Sequence, residues 1–188
     1  MRITGGQSRG IILRSPLGLQ TRPAVDALRE SLFSSLGTRI EGCRFADLFA
    51  GTGSYGLEAL SRGGVSGEFV ENDSNCIRCL RENLARVSKS AGVDPEAFSV
   101  IKSDVFNWRV PESGKYDIVF ADPPYADIVE IETKLFKLAE ELLAVGGLLV
   151  IEKPADTELS PQGWFRIKQL GKKRGRGPSV GLWEKISP

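Results

Sequence analysis

Between Arg44 and Glu152 the chain repeats one unit: a short apolar run, a glycine or acidic turn, then a segment with apolar residues at helical spacing. Few folds accept that repeat. Apolar runs bounded by turn residues read as strands, and the intervening stretches with a helical period read as helices. Strands are expected over 44–49, 67–71, 97–101, 117–121 and 148–152. Helices are expected over 57–62, from a cap at Asp73 or Ser74 to about Lys89, and over 128–143, with Gly146-Gly147 after the last. Strands joined through helices pair in parallel. The expected class is therefore α/β, a mostly parallel sheet covered by helices.

The two ends depart from the repeat. Residues 1–20 read as short strands and turns, with Gly5-Gly6 as the tight turn of a hairpin. Thr21-Arg22-Pro23 leads into a helix over 24–36. Val25, Leu28, Leu32, Phe33 and Leu36 give it one apolar face, and Gly37 ends it. That face is expected to lie against the main sheet. Near the other end, 164–170 and 180–186 read as strands, and the basic stretch 171–178 between them is too short for a crossover helix. They are expected to be an antiparallel pair. The division expected is a hairpin-and-helix extension over 1–39 and a main domain over 40–188.

Composition narrows the function. The 188 residues are 41% hydrophobic and 26% charged, ordinary for one globular domain. There is no run of 18 apolar residues, the N-terminus lacks the apolar core of a signal peptide, and there are three cysteines. These point to a cytoplasmic protein without a membrane span. Histidine is absent, which excludes histidine triads and imidazole metal ligands. Cys76 and Cys79 have CxxC spacing, but they fall in an expected helix and only Cys43 remains elsewhere. Four zinc ligands cannot be assembled, so the pair reads as half-buried structural thiols and no metal is expected.

The net charge of +1 conceals a segregation. Residues 1–39 carry six arginines against Asp26 and Glu30, a local +4. Residues 40–165 carry 12 basic and 21 acidic groups, a local −9. Residues 166–188 carry seven basic groups against Glu184, a local +6. Basic ends around an acidic middle suit a polyanion held by the ends, although solvated basic loops would look the same.

The motifs lie where strands end. Gly51-x-Gly53-x-x-Gly56 follows the first strand, with Glu71 about 20 residues on to hold ribose hydroxyls. This fits a nicotinamide or flavin dinucleotide, a methyl donor such as S-adenosylmethionine, or mere close packing. Asp47, before the turn, is placed to hold the methionine end of a methyl donor. Asp104, followed by Val105 and Phe106, can accept from an adenine amino group while the apolar pair encloses the ring. Each acid alone reads more readily as a helix cap, yet together they form a cup for an adenosine carrying a cationic amino acid. The fourth strand runs into Asp122-Pro123-Pro124-Tyr125: one carboxylate, a rigid turn without backbone donors, and one ring. Acceptors beside a stacking ring suit the exocyclic amino group of a nucleobase.

Five blocks carry a resemblance over nearly the whole chain. They are Met1-Arg2-Ile3-x-Gly5-Gly6-x-x-Arg9-Gly10, Thr21-Arg22-Pro23-x-x-Asp26-x-x-Arg29-Glu30-x-Leu32-Phe33, Asp47-Leu48-Phe49-Ala50-Gly51-Thr52-Gly53, Gly56-Leu57-Glu58-Ala59-Leu60-Ser61-Arg62-Gly63, and Asp122-Pro123-Pro124-Tyr125. In these the sequence resembles the RsmD family of 16S ribosomal RNA guanine-N2 methyltransferases. Tyr55 stands where a smaller residue is usual in that family. The resemblance implies a Rossmann-like class I methyltransferase, a seven-stranded sheet with an N-terminal β-hairpin extension. It implies S-adenosylmethionine as donor, held by Asp47, Phe49, Ala50, Gly51, Gly53, Glu71, Asn72, Asp104 and Val105. It implies 16S rRNA as partner, within a small ribosomal subunit or assembly intermediate, approached by a monomer.

The chemistry expected of these residues is specific. Asp122 and the Pro123 carbonyl would take the two hydrogens of a guanine amine, pyramidalise its nitrogen and stabilise the charge that develops there. Tyr125 would stack a base drawn out of its own stack. Arg2, Arg9, Arg14 and Arg22 at the front, and Lys172, Lys173, Arg174 and Arg176 at the back, would contact phosphates. The competing readings are an adenine-N6 methyltransferase on DNA or RNA, and an RNA-binding module with a vestigial donor pocket.

Overall fold

The computed structural model describes residues 1–16, 23–109, 115–172, 174–175 and 177–185. Within them lie α1 (Pro23–Leu36), β1 (Arg44–Leu48), α2 (Ser54–Ser61), β2 (Ser66–Glu71), α3 (Ser74–Ala91), β3 (Phe98–Lys102), β4 (Tyr116–Ala121), α4 (Ile128–Leu142), β5 (Leu143–Pro154), β6 (Trp164–Gly171) and β7 (Pro178–Lys185). Seven strands form one sheet in the order β3-β2-β1-β4-β5-β7-β6. The first five are parallel, and β7 is antiparallel to both β5 and β6. The strand order reverses between β1 and β4, the switch point at which open α/β sheets bind ligands.

Strand alternation divides the sheet between two cores. Phe45, Phe69, Phe120, Val150 and Leu182 face a cluster completed by Leu32 and Phe33 of α1, Leu57 of α2 and Leu80 of α3. Their sequence neighbours Ala46, Val70, Val119, Leu149 and Trp183 face Leu135, Phe136 and Ala139 of α4. Burial on both faces is why these strands read as nearly unbroken apolar runs. The face bearing α2 is packed very closely. An added Cβ at Gly56 would lie 2.3 Å from Phe69 and 2.7 Å from Phe45, so the third glycine of the turn is there for helix–sheet approach.

The capping signal at Asp73 is realised: its Oδ1 accepts from Asn75 and Cys76 N–H at 2.9 and 2.8 Å. Three expectations need correction. α2 starts at Ser54 rather than at 57, because Gly53 takes a left-handed φ of 87° and turns the chain directly into the helix. β5 starts at Leu143, immediately after α4; a bulge then carries Val145 and Gly146 before Leu148 rejoins β4 opposite Ile118. The N-terminal segment is not a regular two-stranded hairpin around Gly5-Gly6. It closes by one antiparallel bridge, Arg2 with Ile12, around a wide loop.

That loop is fastened to the main fold. Glu58 of α2, fully buried, accepts from Thr4 N–H, Thr4 Oγ1 and Gly5 N–H, each at 2.8 Å. Ser61 accepts Ser8 N–H, and Ser8 Oγ donates to the Val87 carbonyl of α3. α1 packs on β6, β7 and α2, as its apolar face anticipates. Its Arg29, also fully buried, donates to Glu58, Asp26 and the Arg2 carbonyl. Among the described residues no helix is long and apolar enough to cross a membrane. Cys79 is buried and Cys76 half-buried on α3, and both are free thiols.

Candidate active site

The site is set by strand register. Leu48 of β1 pairs with Ala121 of β4, which pairs with Ile151 of β5. One residue further on, Phe49, Asp122 and Glu152 come abreast at the carboxyl edge. Alternation points Asp47, Asp122 and Glu152 to the face that carries α2, since their neighbours Leu48, Ala121 and Ile151 face α4. An open cleft of about 630 Å³ lies over this edge, lined by Phe49, Glu71, Asn72, Asp104, Phe106 and the whole Asp122–Tyr125 turn, with Asp127, Glu130 and Ile131 of the α4 end.

One half of the cleft is built around Glu71. Its Oε2 accepts from Gly51 N–H at 2.7 Å, and its Oε1 accepts from Asn72 and Asp73 N–H, each at 2.8 Å. The carboxylate thereby ties the glycine turn to the end of β2. Gly51 has a φ of 54°, and a Cβ there would meet nothing within 4 Å, so the backbone is open to a close ligand. Phe49 is the one non-glycine residue with positive φ among the described residues, at 57°. Such a conformation costs of order 1–3 kcal/mol and concentrates at ligand sites. Its ring meets Phe106 edge-on at 6.0 Å. Asp104 is exposed, and its Oδ1 accepts from Phe106 and Asn107 N–H.

Asp47 and Val105 are placed differently from those residues. Asp47 is 1% exposed and its Oδ2 accepts Gly56 N–H at 2.8 Å, satisfying an orphan donor in the first turn of α2. Burial foremost, with the Glu71 charge, pushes its carboxyl up to about 8 against the pull of that hydrogen bond. Val105 is buried in the α4-side core. Ala50 and Gly53 serve the turn itself, where Gly53 N–H bonds the Ala50 carbonyl at 2.7 Å.

The other half of the cleft is the Asp-Pro-Pro-Tyr turn. Asp127 N–H bonds the Pro124 carbonyl at 3.0 Å, and no backbone bond among the described residues uses the Pro123 carbonyl. Tyr125 is 38% exposed. Its hydroxyl donates to Glu152 Oε1 at 2.9 Å. Glu152 Oε2 takes a short bond from the hydroxyl of Tyr55, whose buried ring stacks on Phe120 at 5.8 Å and 19°. The bulk of Tyr55 thus reaches from α2 across β4 to β5. Burial foremost, then the charges of Glu152 and Asp47, hold the Asp122 carboxyl well above its ordinary value. Glu152 and Tyr55 were not marked as site residues by the sequence. An acid closing an apolar strand, Leu148-Leu149-Val150-Ile151-Glu152, is the same signal that marked Glu71 and could have found the first.

The basic residues fall into separate groups. Asn83, buried on α3, accepts Arg14 N–H at 2.7 Å and donates to the Thr52 carbonyl, so Arg14 sits beside the glycine turn. Its exposed side chain pairs with Glu82. Pro154 pairs with Pro178, which sets the β6–β7 connection, with exposed Lys172 and Arg174, at the same carboxyl edge. Arg9 is exposed but follows Ser8 at the far ends of α2 and α3, away from the cleft. Arg2 is exposed and pairs with Ile12 in the bridge that closes the N-terminal segment. Arg22, Lys173 and Arg176 lie outside the described residues.

The donor set fits S-adenosylmethionine. Five carboxylates line the cleft (Glu71, Asp104, Asp122, Asp127, Glu130) and no lysine or arginine among the described residues does, which suits a ligand bearing a sulfonium and an ammonium. Phe49 and Phe106 offer an aromatic wall for the adenine. Fold and cleft together define a class I S-adenosylmethionine-dependent methyltransferase. Residues 1–177 match the sequence model of the family described as Conserved hypothetical protein 95, and the chain belongs to that family, the RsmD methyltransferases. It is 32% identical over 166 residues to ribosomal RNA small subunit methyltransferase D of Escherichia coli K12, covering 87% of this chain and 81% of that protein. A solved hypothetical protein of Thermus thermophilus superposes with a TM-score of 0.77 at 32% identity, covering 98% and 99% of the two chains. An RNA methyltransferase of Salinibacter ruber in complex with S-adenosyl-L-homocysteine shares the fold, with a TM-score of 0.60 at 20% identity over 89% and 93% of the chains.

Proposed function

We propose that this protein methylates the exocyclic N2 of a guanine in 16S ribosomal RNA, acting as a monomer in the cytoplasm on the small subunit or an assembly intermediate. The observation that carries this is the meeting, in one cleft, of Asp122, the Pro123 carbonyl and the Tyr125 ring with the Glu71–Asp104 half. S-adenosylmethionine supplies an electrophilic methyl carbon. Glu71 and Asp104 hold its ribose and adenine, and Asp47 supports the methionine end by capping α2 beneath it. Asp122 and the Pro123 carbonyl each accept one N–H of the amine, which turns the nitrogen lone pair out of conjugation. As the C–S bond breaks and the N–C bond forms, the positive charge on nitrogen is met by Asp122. The methylated ammonium is strongly acidic, so it gives up its proton without a dedicated histidine base. Tyr125 stacks the extruded base, a contact worth about 1–3 kcal/mol.

Residues 1–39 act in this reading as the RNA-binding extension of a catalytic domain over 40–188. Arg14, Lys172 and Arg174 take phosphates at the cleft edge, Arg2 and Arg9 further along the RNA, with Arg22, Lys173 and Arg176 completing the basic ends. The test is to incubate the protein with labelled donor and small subunits from a strain lacking it, then digest to nucleosides. N2-methylguanosine is expected, and label in N6-methyladenosine overturns the assignment. RNA affinity should also fall with salt, with a log–log slope of roughly −0.7 to −0.9 per phosphate neutralised.

A further inference from the structure

Glu152 has no part in the chemistry above, yet it is the hub of the target-base side of the cleft. It is 6% exposed. Both oxygens are engaged by tyrosine hydroxyls: Oε1 by Tyr125 at 2.9 Å and Oε2 by Tyr55. Register places it directly beside Asp122, because Ala121 and Ile151 are partners and both strands run the same way. We propose that Glu152 is the positioning residue of the target-base pocket, pinning the Tyr125 ring through its hydroxyl while its charge governs when Asp122 can receive the amine. This inference rests on the methyltransferase reading for its kinetic arm but not for its spectroscopic one.

A ring that stacks a base must keep one orientation. Tyr125 follows two prolines and is partly exposed, so its ring needs a tether beyond local packing. The tether comes from β5, while Tyr55 holds the far side of the same carboxylate. Asp122 is faced by Glu152 from β5, Asp47 from β1, Tyr55 from α2 and Tyr125 from its own turn, with Arg29 of α1 felt at Tyr55. Asp122 is half-buried and stands in register beside buried Glu152, and two carboxyls so placed do not both ionise readily, so Glu152 adds to the burial that raises the Asp122 carboxyl. An amine with two donors favours the ionised form, and the pocket becomes an acceptor when a donor-bearing base arrives.

Two variants divide the roles. Glu152→Gln removes the charge at constant shape. If the rate requires ionised Asp122, the acidic limb of the pH–rate profile should move to lower pH by one unit or more, the size expected for removal of a like charge within about 4–6 Å. Tyr125→Phe removes the tether and keeps the charge. It should raise KM for RNA roughly fivefold to tenfold, the net worth of about one hydrogen bond, and leave the limb in place. S-adenosylmethionine affinity, measured by calorimetry, should be unchanged in both. Infrared spectroscopy of the protein alone reads the proton directly: the carbonyl stretch lost in Asp122→Asn should titrate at lower pH in Glu152→Gln, because burial remains and the neighbouring charge is gone. An unmoved limb, an Asp122 carboxyl band whose titration Glu152→Gln leaves in place, or an unchanged KM in Tyr125→Phe each overturns the proposal. Wild-type protein that transfers no methyl group would overturn the functional reading, and the infrared result would still decide the role of Glu152.

Discussion

Replacing Glu58 with glutamine tests how the N-terminal segment is held. The carboxylate is fully buried and accepts from five donors. Oε2 takes Thr4 N–H at 2.8 Å and Arg29 Nε at 3.4 Å. Oε1 takes Thr4 Oγ1, Gly5 N–H and Arg62 Nε, each at 2.8 Å. Glutamine has the same shape, so no cavity forms and the loss is electrostatic. If its NH2 occupies the Oε2 place, it confronts Thr4 N–H and the Arg29 guanidinium. If it occupies the Oε1 place, it confronts Gly5 N–H and the Arg62 guanidinium, while the Thr4 hydroxyl can turn to accept from it. Either way two donors, one of them charged, face a donor. An unsatisfied buried donor costs about 1–3 kcal/mol, and breaking a buried ion pair about 3–5 kcal/mol. Because Arg29 keeps Asp26 and the Arg2 carbonyl, the net cost should lie at about 3–5 kcal/mol rather than at the sum. Unfolding entropy for 188 residues is about 0.4 kcal/mol/K, so the melting temperature should fall by about 8–13 °C. Calorimetric or circular-dichroism melts at pH 7 measure it. Thr4→Val, which removes a hydroxyl that donates to Glu58 Oε1 and accepts Arg62 Nη2 at 3.2 Å, serves as the scale at about 1–3 kcal/mol. A fall of less than about 3 °C in Glu58→Gln would show that this carboxylate does not fasten the segment to α2.

Three further outcomes follow from the same geometry. Asp122→Asn should lower kcat for methyl transfer by about 10²–10³, the range for removing a preorganised electrostatic partner, with S-adenosylmethionine affinity intact by calorimetry; lost donor binding with unchanged turnover per bound donor would contradict its role. The raised Asp47 carboxyl binds more protons folded than unfolded between about pH 4 and 8, so it makes stability fall as pH rises through that window, by up to about 1.4 kcal/mol per pH unit. Asp47→Asn keeps the acceptor for Gly56 N–H and should flatten that slope, read from denaturant midpoints at pH 5 and 8. Gly56→Ala places a methyl 2.3 Å from Phe69 and should cost about 1–3 kcal/mol in chemical denaturation.

The parallel strands and the antiparallel tail were legible because each depends on a local pattern: an apolar run for burial on both faces, and a connection too short for a crossover. Asp73 as a cap was legible for the same reason. What escaped the sequence was set across the sheet. Gly6 does turn the chain, with a φ of 74° and its carbonyl bonded by Arg9 N–H, but an added Cβ there would also lie 1.9 Å from the Ser61 carbonyl, and that close approach to α2 could not be read from the sequence. The long β5 depended on a bulge that only pairing with β4 reveals. Glu152 could be seen to end a strand, but its neighbours could not be named without knowing that β5 lies beside β4 in that register. Tyr55 was visible as an oversized residue, and its purpose is a carboxylate 97 residues away.

The segregation of charge along the chain becomes a division of labour once folded. The acidic middle of the sequence supplies the cleft, where five carboxylates and, among the described residues, no cation line the walls. Such a wall attracts a cationic donor and repels a phosphodiester. On the proposed reading, an RNA chain can lie across this mouth only if its phosphates are held elsewhere, and Arg14, Lys172 and Arg174 stand at the same edge. The parts of a nucleotide that such a cleft does not repel are its uncharged base and ribose. On that reading, charge at the mouth favours presenting an extruded base to the cleft over presenting the backbone. The same arrangement accounts for the absence of histidine. On the proposed reading the product sheds its own proton, so the reaction needs oriented acceptors and exclusion of phosphate rather than a histidine base.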